Sequence, residues 1–218
     1  MIKKLFIVPY FGELPPWFDQ WVANMELLKP LGYDYLLVTN LKLFEQRVRD
    51  KLGIEPAITP GTGKLWDYRC AFGVLFEEEI KGYDFWGHTD FDVVYGNVDK
   101  WVTDDFLNGL DVHSNHNTYV CGPWTLYRNT ELVNKMFYDS PSWKRIMTIP
   151  QITGWVEEEF SRTLENSGLR YEYTYWQGKD PNIYQNLTYN KGLFDGEEEI
   201  FMFHFNRHKI YPLKRYEI

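Results

Sequence analysis

The sequence has little cysteine and no long apolar run, and each of these gaps excludes a class of protein. Two cysteines occur in 218 residues, Cys70 and Cys121, so no disulfide framework is implied and both thiols are expected to be reduced. No apolar run approaches the ~18 residues of a membrane-spanning helix. The apolar start from Leu5 to Val8 is broken by Pro9 and predicts a first strand rather than a signal peptide. We therefore expect a cytoplasmic protein, with at most peripheral contact at the inner face of the membrane.

The chain also lacks an excess of positive charge. Its net charge is -8 at pH 7, which argues against non-specific binding to nucleic acid, because such binding needs a positive field. The charge is uneven, since the segment from residue 203 to 218 contains four basic residues and one acidic residue. Aromatic residues are abundant at 18% of the chain, which supplies material both for a core and for stacking on ligands.

Strand-like and helix-like segments alternate in the first half of the chain. Short β-rich runs near 4–8, 35–39 and 83–87 alternate with apolar helical spacing over 15–28, 41–52 and 64–81. This alternation predicts an α/β sandwich with a mostly parallel central sheet, formed by residues 1–218 as a single domain. The second half is less regular, with strands expected near 119–127, 170–176 and 199–205, helices near 98–107, 129–137 and 157–166, and a loop over 177–198.

The ends of the predicted parallel strands indicate where a ligand would lie. Ligands of such sheets bind at the carboxyl ends of the strands, so 9–12, 39–40 and 88–92 should share one edge. Asp90 and Asp92 stand two positions apart, so in extended backbone they point the same way and can meet one hard cation. The alternative is a solvated turn in which Asp90 caps the next segment.

Several segments together resemble a known family. They are Ile7 to Gly12, Lys64 to Arg69, Gly82 to Asp92, Thr125 to Asn129 and Phe203 to Phe205. These strings are similar to a family of small bacterial proteins classed with the nucleotide-sugar glycosyltransferases of the GT-A fold, the Asp-x-Asp type. The matching segments run over nearly the whole chain. The central string is specific, whereas an Asp-x-Asp pair alone is not.

The resemblance implies a metal-dependent transferase. It would move a hexose-type sugar from a nucleoside diphosphate, with UDP expected, to a glycan or lipid-linked glycan acceptor, in a setting such as surface polysaccharide synthesis. Asp92 would be a direct ligand of Mn²⁺ or Mg²⁺, His204 would complete the metal shell, and Asp90 would contact the donor and can also reach the metal. Arg207 and Lys209 would face the diphosphate. Residues 1–100 would form the nucleotide-binding half, and 101–218 the acceptor half with the basic tail.

Further candidates surround the predicted donor site, and several of them have a structural alternative. Tyr10 and Phe11 can stack on a nucleobase or pack in the core. Thr39 and Asn40 can bind the base or ribose, although Asn40 can also cap a helix. Arg69 can bind a phosphate or sugar hydroxyls, or form a surface ion pair. The remaining predicted donor-side residues are Pro9, Lys64, Asp67 and Phe91.

The predicted acceptor site consists of acidic and aromatic residues in the second half of the chain. One of Glu157, Glu158 and Glu159 can serve as general base for an acceptor hydroxyl, or all three can simply suit the first turn of a helix. Trp124 and Trp155 can form a platform for a sugar ring, or belong to the core. A non-catalytic carbohydrate-binding module is the main alternative function. A metal-dependent phosphohydrolase or nucleotidyltransferase would need more carboxylates at the metal.

Overall fold

The computed structural model describes residues 1–61, 63–174, 189–190, 193–194, 198–199 and 201–204. A six-stranded sheet in the order β2-β1-β3-β6-β5-β7 organises this part of the chain. Its strands are β1 (Lys4–Pro9), β2 (Tyr33–Val38), β3 (Phe85–Thr89), β5 (Val112–Ser114), β6 (Trp124–Arg128) and β7 (Tyr171–Tyr173). Strands from both halves of the sequence therefore join in one sheet.

The sheet is mixed. β1 pairs in parallel with β2 and with β3, and β5 pairs in parallel with β7. β6 runs antiparallel to both of its neighbours, β3 and β5. The predicted α/β class is confirmed, and the carboxyl ends of β1, β2 and β3 do meet at one edge.

Both faces of the sheet are covered by apolar side chains and helices. Along β1, Leu5 and Ile7 join one core cluster while Phe6 and Val8 join the other, as the two-residue period of a strand requires. The cluster with Leu5 and Ile7 includes side chains of the helix Leu41–Leu52. The cluster with Phe6 and Val8 includes Trp21 and Met25 of the helix Phe18–Glu26. Each such buried side chain contributes about 1.5–3 kcal/mol. A strand buried on both faces explains the continuous apolar run that predicted it.

Seven α-helices are described. They are α1 (Phe18–Glu26), α2 (Leu41–Leu52), α3 (Phe72–Leu75), α4 (Asp104–Asn108), α5 (Glu131–Lys135), α6 (Trp143–Thr148) and α7 (Ser161–Glu165). The predicted helix over 41–52 is confirmed with both of its ends. The Asn40 side chain accepts a hydrogen bond from the backbone N–H of Leu43 at 3.1 Å, and Gly53 closes the helix in the left-handed conformation with φ of 64°.

The region predicted as one helix over 64–81 has a different local structure. It begins as a 3₁₀ helix over Gly63–Ala71 and continues into the short α3. A three-residue turn places side chains at i and i+3 directly above one another, and Lys64, Asp67 and Cys70 follow that spacing and are all buried. The buried pairing of Lys64 with Asp67 favours the tighter helix.

Short strands outside the large sheet complete the fold. β4 (Val93–Tyr95) pairs antiparallel with β11 (Met202–His204). Within the predicted loop 177–198, the described pieces β8 (Tyr189–Asn190), β9 (Leu193–Phe194) and β10 (Glu198–Glu199) form a small antiparallel sheet. Strands of two residues carry no sequence period, which is why the pattern predicted only a loop. Among the described residues, no helix is long and apolar enough to cross a membrane.

Candidate active site

The acidic turn lies where the sequence predicted, at the carboxyl edge of the sheet. β3 ends at Thr89, so Asp90 is the first residue beyond the strand. The backbone of this turn is fixed by two indole groups, that of Trp17 at the start of α1 and that of Trp21 within α1. The Nε1–H of Trp17 donates to the carbonyl of Phe91 at 2.9 Å, and that of Trp21 donates to the carbonyl of Asp90 at 3.1 Å. The turn is thus held in place before any ligand arrives.

Phe91 anchors the turn by burial. Only 8% of this residue is exposed, and its ring contacts the rings of Tyr10, Phe18 and Trp21 at centroid distances of 5.1, 5.4 and 4.8 Å. Asp90 and Asp92 on either side of it are both partly exposed. Phe91, predicted as a donor-binding residue, therefore packs in the core. Its burial leaves the two carboxylates toward solvent.

Arg69 and Asp90 form an ion pair at the edge of the sheet. The guanidinium Nη2 donates to Oδ1 of Asp90, with side-chain exposures of 12% and 22%. Gly122 leaves the space that this pair occupies: a Cβ at Gly122 would overlap the guanidinium and lie 3.1 Å from Oδ2 of Asp90. The ion pair joins the 3₁₀ helix, the acidic turn and the loop before β6.

Replacing Gly122 by Ala is expected to displace Arg69, because the added methyl group meets a side chain that is fixed by its ion pair. We expect a loss of about 1–3 kcal/mol in the free energy of unfolding, measured by denaturant titration. Gly109→Ala is the matched control, since its Cβ would meet only the Phe106 carbonyl at 3.5 Å. Equal stability of the two variants would contradict the tight fit at Gly122.

His88 supports the loop at Gly122 from inside the sheet. Its Nδ1 lies 3.1 Å from the Gly122 carbonyl and its Nε2 lies 3.5 Å from the Tyr127 hydroxyl. Burial, helped by the positive charge of Arg69, holds the pKa of His88 well below its usual range, so the imidazole is neutral. A carbonyl only accepts, so the proton resides on Nδ1. Sequence reasoning missed His88 as a site residue, although it stands in the string that carried the resemblance.

A small cleft with a cavity volume of about 40 Å³, partly open to solvent, adjoins this ion pair. Residues from four segments line it, among them Trp66, Asp67, Arg69, His88, Gly122 and Glu157. Its wall combines an exposed aromatic ring with charged groups of both signs. Such a lining suits a polar ligand that also has apolar faces.

Of the three consecutive acids, Glu157 is the one that lines the cleft. Partial burial raises the pKa of Glu157, the positive charge of Arg69 opposes that rise and Glu158 adds to it. A raised carboxyl pKa suits a group that takes up a proton. Glu157 and Glu158 are both exposed to solvent, and Glu158 is not among the residues that line the cleft.

Glu159 points into the fold instead. Its Oε1 accepts hydrogen bonds from the Ser140 hydroxyl, from the Ser142 backbone N–H at 2.8 Å and from Trp155 Nε1 at 3.1 Å. Burial alone would raise the pKa of Glu159, but these donors lower it to about 2. Its carboxylate therefore has a structural function.

The bonds of Glu159 predict an acid-sensitive contribution to stability. Its folded pKa of about 2 lies below the ordinary value of 4.5, so the stabilisation is full above pH 4.5 and is lost as the pH falls toward 2. Glu159→Gln should lower stability by about 1–3 kcal/mol near neutral pH and flatten that acid dependence. Denaturant titrations between pH 7 and 3 check this, with the exposed Glu158→Gln as control. An unchanged acid dependence in Glu159→Gln would contradict the assignment.

Other residues predicted for the site lie in the interior. Lys64 has no exposed surface, and its ammonium donates to Asp67 at 2.8 Å and to the carbonyls of Ile146 and Gln151 at 2.7 and 3.0 Å. Those three acceptors use all of its N–H donors. Lys64, predicted as a donor-binding residue, is thus enclosed in the interior, whereas Asp67 also forms part of the cleft wall.

The aromatic candidates for stacking are mostly core residues. Trp124 is fully buried and packs against Phe6 at 4.9 Å, and Trp155 is 3% exposed and bonded to Ser140 and Glu159. Phe11 is 6% exposed and contacts Phe44 at 5.4 Å. At the strand ends, Tyr10 and Pro9 are partly exposed, while Thr39 and Asn40 are exposed, Asn40 being the helix cap described above. Neither Trp124 nor Trp155 offers a face to a sugar.

The predicted metal ligands are only partly described. The register of β4 and β11 places the backbone of His204 opposite Val93, one residue from Asp92. The side chain of His204 lies outside the described part, as do Arg207 and Lys209 altogether. Within the described residues, no group of three or more His, Cys, Asp or Glu side chains is arranged to hold a metal ion. The carboxylate oxygens of Asp90 and Asp92 are ligand atoms of the kind that Mn²⁺ and Mg²⁺ prefer.

The comparisons with known proteins bear on the family of this chain. No curated protein and no solved structure matches the sequence significantly. One family matches over residues 6–217, which is almost the full length, and its description gives no function. The chain belongs to this family of unknown function, DUF6625.

Proposed function

We propose that this protein is a metal-dependent glycosyltransferase of the GT-A kind, with a nucleoside diphosphate sugar, UDP-linked in our expectation, as donor. The observation that carries the proposal is the acidic turn at the carboxyl edge of the sheet. Asp90 and Asp92 flank a buried anchor, and the β4–β11 register brings the backbone of His204 beside them. Ligands of open α/β sheets bind at this edge.

The strand arrangement supports the same proposal. Three neighbouring parallel strands, β2, β1 and β3, offer their carboxyl ends to one ligand, and the reversed β6 follows them. Exposed Thr39 and Asn40 and partly exposed Tyr10 lie at those ends, where a base and ribose would be bound. The local resemblance to GT-A enzymes rests on segments that include this edge.

The residues of the turn fit a hard divalent cation. Asp92 would hold it together with His204, and Asp90 would reach the metal or the donor sugar. A bound Mn²⁺ or Mg²⁺ supplies positive charge to a leaving diphosphate. Arg69 adds fixed positive charge beside Asp90, and Arg207 and Lys209 are the proposed diphosphate partners in the basic tail.

On the acceptor side, Glu157 is the proposed general base. It lines the cleft next to Arg69, and its raised pKa suits proton uptake from an acceptor hydroxyl. The hydroxyl oxygen would then attack the anomeric carbon, and the bond to the diphosphate would break as the proton passes to Glu157. An acceptor of glycan type, free or lipid-linked, matches a cleft with mixed polar and aromatic walls.

A thermal-shift screen of nucleotide sugars, with and without Mn²⁺, tests the proposed function. A ligand that binds only the folded protein raises its melting temperature by mass action. We expect a UDP-sugar to raise the melting temperature in the presence of Mn²⁺ and not in EDTA. If no nucleotide sugar stabilises the protein under either condition, the proposed function is wrong.

A non-catalytic carbohydrate-binding module is the second candidate, and one observation favours it. Trp66 is exposed at the cleft, as in a site that binds sugars by stacking alone. That candidate predicts saccharide binding without any nucleotide binding. It also predicts that Asp92→Asn leaves saccharide binding unchanged.

A further inference from the structure

Trp66 stands out among the tryptophans. Its exposed fraction is 53%, whereas the other tryptophans in the described part of the chain are buried or half-buried. Ile152, with 46% exposed, lines the same cleft. An indole and an isoleucine that stay about half exposed forgo part of the stabilisation that full burial would give. An exposed apolar pair that lines one cleft is therefore an informative feature.

The indole packs against the backbone at Gly63. A Cβ at Gly63 would lie 2.9–3.0 Å from three atoms of the Trp66 ring, so the ring rests directly on the Gly63 backbone. The guanidinium carbon of Arg69 lies 5.9 Å from the centre of the same ring. A ring packed in this way loses less conformational entropy on binding a ligand than an unpacked side chain does.

We propose that Trp66 and Ile152 form the apolar wall of an acceptor saccharide subsite, in which Arg69 and Glu157 bind the sugar hydroxyls. A pyranose has an apolar face of C–H groups and a rim of hydroxyls. The C–H face can stack on an indole, and the hydroxyls can form hydrogen bonds with a guanidinium and a carboxylate. The subsite replaces the platform that the sequence placed at Trp124 and Trp155, both of which are buried. The identity of the saccharide as acceptor rests on the proposed function, whereas its binding does not.

Saturation-transfer NMR with methyl glycosides of glucose, galactose, mannose and N-acetylglucosamine tests the subsite in the absence of nucleotide. We expect ring C–H signals for at least one glycoside with the wild-type protein. Trp66→Ala should weaken its binding about tenfold or more, and Trp66→Phe should retain most of it. Gly63→Ala should also weaken binding, because it displaces the ring. Leu132→Ala, at a residue that is 67% exposed on α5, is the control.

The outcomes separate this inference from the proposed function. The inference is overturned if no glycoside gives a signal, or if Trp66→Ala binds as well as Leu132→Ala. Circular dichroism and the UDP titration with Mn²⁺ are run on the same variants, and neither should change in Trp66→Ala. If the wild-type protein does not bind UDP in the presence of Mn²⁺, the proposed function is wrong, but saccharide binding at Trp66 still stands.

Discussion

Asp92→Asn is expected to lower the Mn²⁺-dependent affinity for UDP by at least about 100-fold. The substitution keeps the size of the side chain and removes the charge that would hold the cation. Changes to groups that only orient a metal ligand already cost about 10–100-fold in metal affinity, so loss of a ligand should cost more. In EDTA neither the wild type nor Asp92→Asn should bind UDP, because the proposed donor binding depends on the cation.

Asp90→Asn should behave differently, because Asp90 is ion-paired with Arg69. Removing its charge also releases Arg69 toward the diphosphate, so part of the loss is compensated. Asp139→Asn, at an exposed acid of the short helix after α5, is the matched control for charge and should bind as the wild type does. Full Mn²⁺-dependent binding in Asp92→Asn would show that the acidic turn is not the metal site.

Lys64→Met should strongly reduce stability. It removes the cation from a fully buried pair and leaves the Asp67 carboxylate, whose side chain is 2% exposed, without its counter-charge. Breaking such a pair from one side costs about 3–5 kcal/mol. At about 2–4 °C per kcal/mol for a chain of this size, the melting temperature should fall by roughly 10 °C. Differential scanning calorimetry measures the shift.

A double variant separates the buried charge from the other contacts of Lys64. Lys64→Met with Asp67→Leu removes both charges and should recover part of the lost stability, because no unpaired buried charge remains. Lys42→Met, at an exposed lysine of α2, is the control and should melt within about 1 °C of the wild type. If Lys64→Met is as stable as that control and instead loses only UDP binding, Lys64 belongs to the donor site after all.

Short sequence patterns correctly predicted β1, α2 and the position of the acidic turn. The apolar run 4–8 became β1, Asn40 and Gly53 delimit α2, and Asp90 follows a buried strand at the sheet edge. For α2 the deciding contacts lie within a few residues along the chain, whereas β1 pairs with distant strands and is recognisable only by its apolar run. A strand buried on both faces and a helix with both caps leave clear traces in sequence.

Contacts between distant segments were not predictable in the same way. Lys64 meets carbonyls 82 and 87 positions away, and the sequence gives no sign that its ammonium is enclosed. The sequence does not distinguish Trp66 from Trp124 and Trp155. Packing leaves Trp66 exposed and buries the other two. The space for the Arg69–Asp90 ion pair likewise depends on Gly122, which the chain brings to it from a later loop.

Isothermal titration of the wild-type protein with UDP, first in Mn²⁺ and then in EDTA, tests whether the Asp90–Asp92 turn is a metal-dependent donor site. We expect saturable binding at one site in Mn²⁺, its loss in EDTA, and the same loss in Asp92→Asn with Mn²⁺ present. Absence of binding in Mn²⁺, or equal binding with and without the metal, would contradict a metal-dependent donor site at the Asp90–Asp92 turn.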